Sequence, residues 1–212
     1  MKKIFLTLWL CAMLPFVATP VAQAITYSLN VDLSSGGFGT GPWGQVDLVQ
    51  SGSTVDVTVS LYDSNKFVVT GAGDNLAFKF NAVGVVLADI TAEQLSEPAG
   101  FTLNPVLPVI GNFNGDGGGT YGFGIYISNQ GNGASEAFNL PIIFHVANAT
   151  ITDLTTANNK GYIFAVDMIS GQTGKTGLVA ADGATTVPEP FTVLLLGFGL
   201  VGLAGVGRKL KK

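Results

Sequence analysis

From Thr54 to Leu61 the chain alternates without a break: Val55, Val57, Val59 and Leu61 are interleaved with Thr54, Asp56, Thr58 and Ser60. A period of two sends one set of side chains to each face of an extended strand, and a helix cannot gather that pattern on one side. The segment therefore predicts a strand with one face in a core and one in water. Ser51-Gly52 just ahead of it predicts a hairpin turn from a strand over Gln45 to Gln50. The same alternation returns at Ile25, Tyr27, Leu29, Val31 and Leu33, at Leu76, Phe78 and Phe80, and at Tyr121, Phe123, Ile125 and Ile127. Further on it marks Ile142, Phe144 and Val146, then Tyr162, Phe164, Val166 and Met168. Shorter apolar runs at Lys66 to Thr70, Val83 to Ala88, Ile151 to Leu154 and Leu178 to Ala180 predict additional strands. The one helix candidate, Thr91 to Ser96, has Thr91 as a cap and Gln94 three residues on, enough for a surface turn. About ten strands punctuated by Gly and Asn turns predict an all-β fold, an antiparallel β-sandwich of jelly-roll or Ig-like kind.

Two apolar segments bracket this domain. Met1-Lys2-Lys3, the apolar stretch Ile4 to Val17 and the small-x-small site Ala22-Gln23-Ala24 read as an export signal over residues 1–24, cleaved after Ala24 by signal peptidase. The single cysteine, Cys11, leaves with that signal. The exported domain then has no thiol, which excludes disulfides, cysteine nucleophiles and thiolate metal sites. At the other end, Pro188-Glu189-Pro190 precedes an uncharged run from Phe191 to Gly207, followed by Arg208, Lys209, Lys211 and Lys212. The 17 residues of that run can just cross a bilayer core as a helix. The basic cluster holds the C-terminus in the cytoplasm and leaves everything before Pro188 outside.

In that order, Val187-Pro188-Glu189-Pro190, the Gly- and Leu-rich helix and the basic end resemble the PEP-CTERM sorting signal of exopolysaccharide-producing Gram-negative bacteria. The resemblance implies that an exosortase, a membrane transpeptidase, recognises Pro188, Glu189 and Pro190, removes the helix and passes the protein to the cell surface or matrix. Those three residues are recognition elements rather than catalysts. The expected organisation is a signal at 1–24, a secreted domain at 25–184, a spacer at 185–187 and a sorting signal at 188–212, with its transmembrane helix at 191–207. The expected partners are signal peptidase, exosortase, the inner membrane in passing, and exopolysaccharide or other matrix components.

With both signals removed, Lys66, Lys79, Lys160 and Lys175 face 13 carboxylates, a net charge of −9 with no arginine. A polyanion would be repelled, which removes nucleic acid from the partners. The Gly-rich stretch Gly111 to Gly119 lacks the ending of a phosphate loop. Asn112, Asn114 and Asp116 reproduce the first half of a calcium loop, but Phe123 stands where the bidentate Glu belongs, so calcium is a weak candidate and no other cofactor is expected. The simpler expectation for the stretch is a flexible loop between two strands.

His145, the only histidine, alternates with Ile142, Phe144 and Val146 and is expected on a strand's exposed face. Without a thiol or a clustered acidic pair nearby in sequence it suggests neither a triad nor a zinc site. A non-enzymatic surface or matrix protein with a structural or adhesive role is the reading these residues favour. A carbohydrate-binding module is the alternative, with Trp43, Tyr62 and Tyr126 as a stacking platform if they are exposed in one plane; otherwise Trp43 covers one end of the core. A secreted hydrolase comes third and would need carboxylates gathered from separate strands.

Overall fold

The computed structural model describes residues 23–34, 37–68, 74, 76–93, 106–115, 117–127 and 137–185. The strands in chain order are β1 (Ala24–Leu29), β2 (Val31–Asp32), β3 (Gly44–Ser51), β4 (Thr54–Leu61), β5 (Lys66–Phe67), β6 (Leu76–Phe80) and β7 (Ile90–Ala92). They continue with β8 (Val106–Asn114), β9 (Thr120–Ile127), β10 (Ile142–Ala147), β11 (Phe164–Ile169), β12 (Thr176–Ala181) and β13 (Ala184–Thr185). One sheet, here sheet A, runs β13-β1-β3-β4-β10-β7; the other, sheet B, runs β2-β12-β11-β6-β9-β8, with β5 also paired to β11. All pairings are antiparallel. The protein is an all-β sandwich.

Alternation in sequence becomes burial in sheet A as expected. Val46 and Leu48, Val55, Val57 and Val59, and Ile142, Phe144 and Val146 are fully buried, and the residues between them face outward. They meet sheet B through a phenylalanine cluster. Phe78 stacks on Phe80 and Phe164 at 5.6 and 5.7 Å, and Phe144 reaches across to both Phe78 and Phe80 at 5.8 and 5.3 Å. Such ring pairs contribute about 0.5–1.5 kcal/mol each beyond the area they bury.

Several local expectations are corrected. Ile25 to Leu33 is not one strand: the chain turns at Asn30 and passes from sheet A into sheet B, where β2 pairs with β12. Ile151–Leu154 is a helical turn, α1, because Ile151 and Leu154 are both buried three residues apart and Asp153 accepts hydrogen bonds from the Thr150 N–H and hydroxyl, each at 2.7 Å. Thr91 belongs to an edge strand, β7, rather than to a helix, and residues 94–96 lie outside those described. Val83 to Ala88 forms no strand; it leads into a 3-10 turn at Leu87–Asp89. The stretch expected as a loop at Gly111 to Asn114 is the end of β8, whose register shifts between Ile110 and Phe113.

Candidate functional site

On the outward face of sheet A, His145 on β10 sits directly opposite Asp56 on β4 and Thr91 on β7. Its Nδ1 lies 2.7 Å from the Asp56 carboxylate and its Nε2 lies 3.0 Å from the carboxylate of Glu93, one residue beyond β7. A carboxylate only accepts, so satisfying both contacts requires a proton on each ring nitrogen, which is the imidazolium. The hydrogen bond to Asp56 chiefly, with Glu93 adding to it and partial desolvation opposing, raises the His145 pKa above 6.5. The side chains stay 37%, 41% and 53% exposed for His145, Asp56 and Glu93, so solvent screens the trio. Chemically, both imidazole nitrogens are occupied, and neither is turned to a serine or threonine hydroxyl that it could activate.

Beside it runs a second polar chain. The Thr26 hydroxyl donates to Asp47 at 2.6 Å, the Gln45 amide donates to the other Asp47 oxygen at 2.6 Å, and the Tyr62 hydroxyl donates to the Gln45 carbonyl. Burial first, then the Asp47 charge, raises the Tyr62 pKa. Sequence reasoning missed the first constellation because Asp56 and Glu93 lie 89 and 52 residues from His145 along the chain. The signal that existed was the phase of each residue: all three sit on the polar side of their segments.

The alternative glycan platform of Trp43, Tyr62 and Tyr126 does not form in one plane. Trp43 is only 4% exposed, its indole N–H donates to the Phe38 carbonyl at 3.3 Å, and it meets the Phe38 ring edge-on. It covers one end of the core, and no pyranose face can stack on it. Tyr62 is half-buried beside sheet A, whereas Tyr126 is half-buried on β9 of sheet B, so the three rings share no plane.

The calcium candidates are also differently placed. Asn112 and Asn114 are exposed on the extended β8 rather than wrapped in a loop, and Asp116 lies outside the described residues. The turn that follows is tied internally: Gly115 N–H donates to the Gly119 carbonyl, Gly118 N–H to the Gly115 carbonyl, and the Asn158 amide to the Gly118 carbonyl at 2.6 Å. Among the described residues no three His, Cys, Asp or Glu side chains are grouped to hold a metal ion.

Of the processing residues, Ala24 opens β1 and pairs with Val49. Ala22, Pro188, Glu189, Pro190, the 191–207 segment, Arg208, Lys209, Lys211 and Lys212 lie outside the described residues. Among the described residues no helix is long and apolar enough to cross a membrane. β13 ends at Thr185, opposite Thr26 of β1, so both ends of the domain leave from one edge of sheet A.

An all-β sandwich joined to a terminal processing segment defines the class, and comparison specifies the segment. Residues 186–209 match the PEP-CTERM protein-sorting motif, which implies an extracellular surface protein sorted by an exosortase. No curated protein and no solved structure matches the chain.

Proposed function

We propose that this is a non-enzymatic component of the cell surface or exopolysaccharide matrix, with a structural or adhesive role. The observation that carries the reading is the sorting motif at 186–209, attached to a domain whose single histidine is held by carboxylates at both ring nitrogens. An imidazolium fixed in this way braces three strands and is not poised to accept a proton. The test is fractionation of the producing cells combined with binding of the secreted protein to their purified exopolysaccharide, with and without calcium. Surface or matrix location that is lost when Pro188, Glu189 and Pro190 are replaced by alanine, with retention on the polysaccharide, is expected. Release of sugar from the polysaccharide would instead make the protein a hydrolase, and retention only with calcium would return attention to Asn112 and Asn114.

A second reading, a carbohydrate-binding module, draws support from the Thr26, Asp47, Gln45 and Tyr62 chain, which presents hydroxyl, carboxylate and amide groups beside an aromatic ring. Selective glycan-array binding that disappears in Tyr62→Ala and persists in Trp43→Phe is its expected signature. Equal binding by wild type and Tyr62→Ala would remove it.

A further inference from the structure

Large apolar side chains exposed among the described residues are Val49, Val83, Val86, Leu87 and Ile110, three of them within the short segment Val83 to Leu87 that leads into β7. One end of the sandwich is built from the β3–β4 hairpin, α1 and the segment before β7, which hydrogen bonds join together. The Ala149 N–H donates to the Ser53 carbonyl, the Gln50 amide donates to the Ala149 carbonyl, the Val83 N–H donates to the Asp153 carbonyl, and the Asn148 amide donates to Asp89. Val49 lies at the same end, paired with Ala24, and β8, which carries Ile110, packs beside the Leu87–Asp89 turn. The local backbone explains the exposure. Gly84, at a φ of 72°, turns the chain so that Val85 is 8% exposed while Val83 and Val86 stand 58% and 57% exposed. A cluster of this kind marks a surface that meets something other than water.

What it meets follows from where the chain goes next. β13 runs toward the start of β1, so the chain leaves Thr185 heading for the end where Ala24 pairs with Val49. Only residues 186–190 separate Thr185 from the apolar run that begins at Phe191. At about 3.5 Å per residue the span is at most ~20 Å. Before cleavage after Ala24, the N-terminal apolar segment leaves from this same end. We propose that the end bearing Val83, Val86 and Leu87 docks on the surface of the lipid bilayer while the chain is tethered through 191–207, so that the domain rests on the membrane in one orientation. The tether supplies the local concentration that a few apolar side chains could not supply by themselves. Asp89 and Asp153 lie at the same end, and hydrogen bonds from Val86 and from Thr150, respectively, hold their pKa values below 3.8. Both stay ionised, so docking is favoured on zwitterionic lipid and weakened by anionic lipid.

The inference rests on the reading that 191–207 enters the membrane, and the experiment separates the two. The tail-bearing chain, isolated with its signal removed, contains no cysteine, so a single bimane fluorophore can be placed through Val86→Cys or, at the opposite end, through Lys175→Cys. Each is reconstituted into phosphatidylcholine vesicles containing nitroxide-labelled lipid, and tail insertion is scored by resistance to carbonate extraction. The expected result is quenching several-fold stronger at position 86 than at 175, abolished by Val83→Ser with Leu87→Ser while the tail stays inserted, and reduced by added phosphatidylglycerol. An inserted tail with equal quenching at the two positions overturns docking and leaves the tether standing. A tail that is extracted by carbonate overturns both. Protection at position 86 that falls as the protein is diluted in the bilayer assigns the patch to a second copy of the chain and overturns the lipid proposal.

Discussion

The two sheets resemble each other on the side that faces the core and differ on the side that faces away. In sheet A the outward residues Asp47, Asp56, Thr58, Ser60 and His145 are half-exposed, and hydrogen bonds cross between strands from Thr26 to Asp47 and between His145 and Asp56. In sheet B the outward positions of β6, β11 and β12 are buried too: Ala165 and Ala180 are inaccessible, Leu178 is 2% exposed, and even Lys79 and Asp167 are 4% and 6% exposed. A second small cluster of Tyr121, Ala165 and Leu178, with Leu33 and Tyr162 against it, covers that face. The Asn158 side chain pins the turn above it by donating to the Gly118 carbonyl and accepting from the Tyr162 N–H. Sheet A is thus a two-sided wall with a wet face, whereas β6, β11 and β12 of sheet B are covered on both sides.

The largest test of this contrast lies where the two sheets share a core. Phe144→Ala should cost about 3–5 kcal/mol in urea unfolding, since its ring contacts Phe78 and Phe80 of the facing sheet. A cost below about 1 kcal/mol would mean that the sheets are not joined there. Next, the same polar substitution is placed on each outward face. Ala165→Asn in sheet B should cost about 2–4 kcal/mol through an unpaired buried amide and crowding. Thr58→Asn in sheet A should stay within about 1 kcal/mol. Equal costs would erase the distinction between the two faces.

A smaller effect is expected at His145, and its sign depends on pH. Because its folded pKa is raised above 6.5, its contribution is complete below that ordinary value and is lost as pH rises through the folded value. The stability difference between wild type and His145→Gln should therefore be largest at or below about pH 6, at about 1 kcal/mol or less, and fade as pH rises through the folded value. A difference that grows with pH would contradict the doubly bonded imidazolium. Smallest is Tyr121→Phe on the covered face of sheet B. The Tyr121 hydroxyl is buried with no hydrogen-bond partner among the described residues, and burial pushes its pKa far up. Its removal should be neutral or stabilising by up to about 1 kcal/mol, read from the urea midpoint. A loss above 1 kcal/mol would mean that the hydroxyl has a partner.

The contrast also explains what was legible in the sequence. β4 and β10 could be read residue by residue because one side of each meets water and the other does not. β11 kept its large residues in phase, but Ala165 and Asp167 between them gave no hint that they too are covered. β8 was hidden by Pro108, Gly111 and the shifted register, which interrupt alternation without ending the strand. Ile151–Leu154 was misread because four residues are too few to separate a period of two from a spacing of three. For Trp43 the sequence left two placements open, and the structure takes the one that covers the end of the core. The glycines around it signal close packing rather than exposure: a Cβ at Gly41 would come within 3.0 Å of the Trp43 ring. His145 was correctly expected on an outward face, but its acidic partners arrive through strand order, which spacing does not encode.

The β1–β13 edge also sets the protein's response to pulling. A load applied through the C-terminal segment enters the described fold at Thr185, where β13 is held to the sheet, among the described residues, by two register pairs, Thr26 with Thr185 and Tyr27 with Ala184. Strand β13 is therefore the weak link in series with the sandwich. It should peel first, releasing the stretch from Ala181 to Thr185 and adding about 14 Å of slack before tension reaches the six-residue pairing of β11 with β12. The edge would act as a small shock absorber between the C-terminal sorting motif and the domain, yielding while the core remains closed.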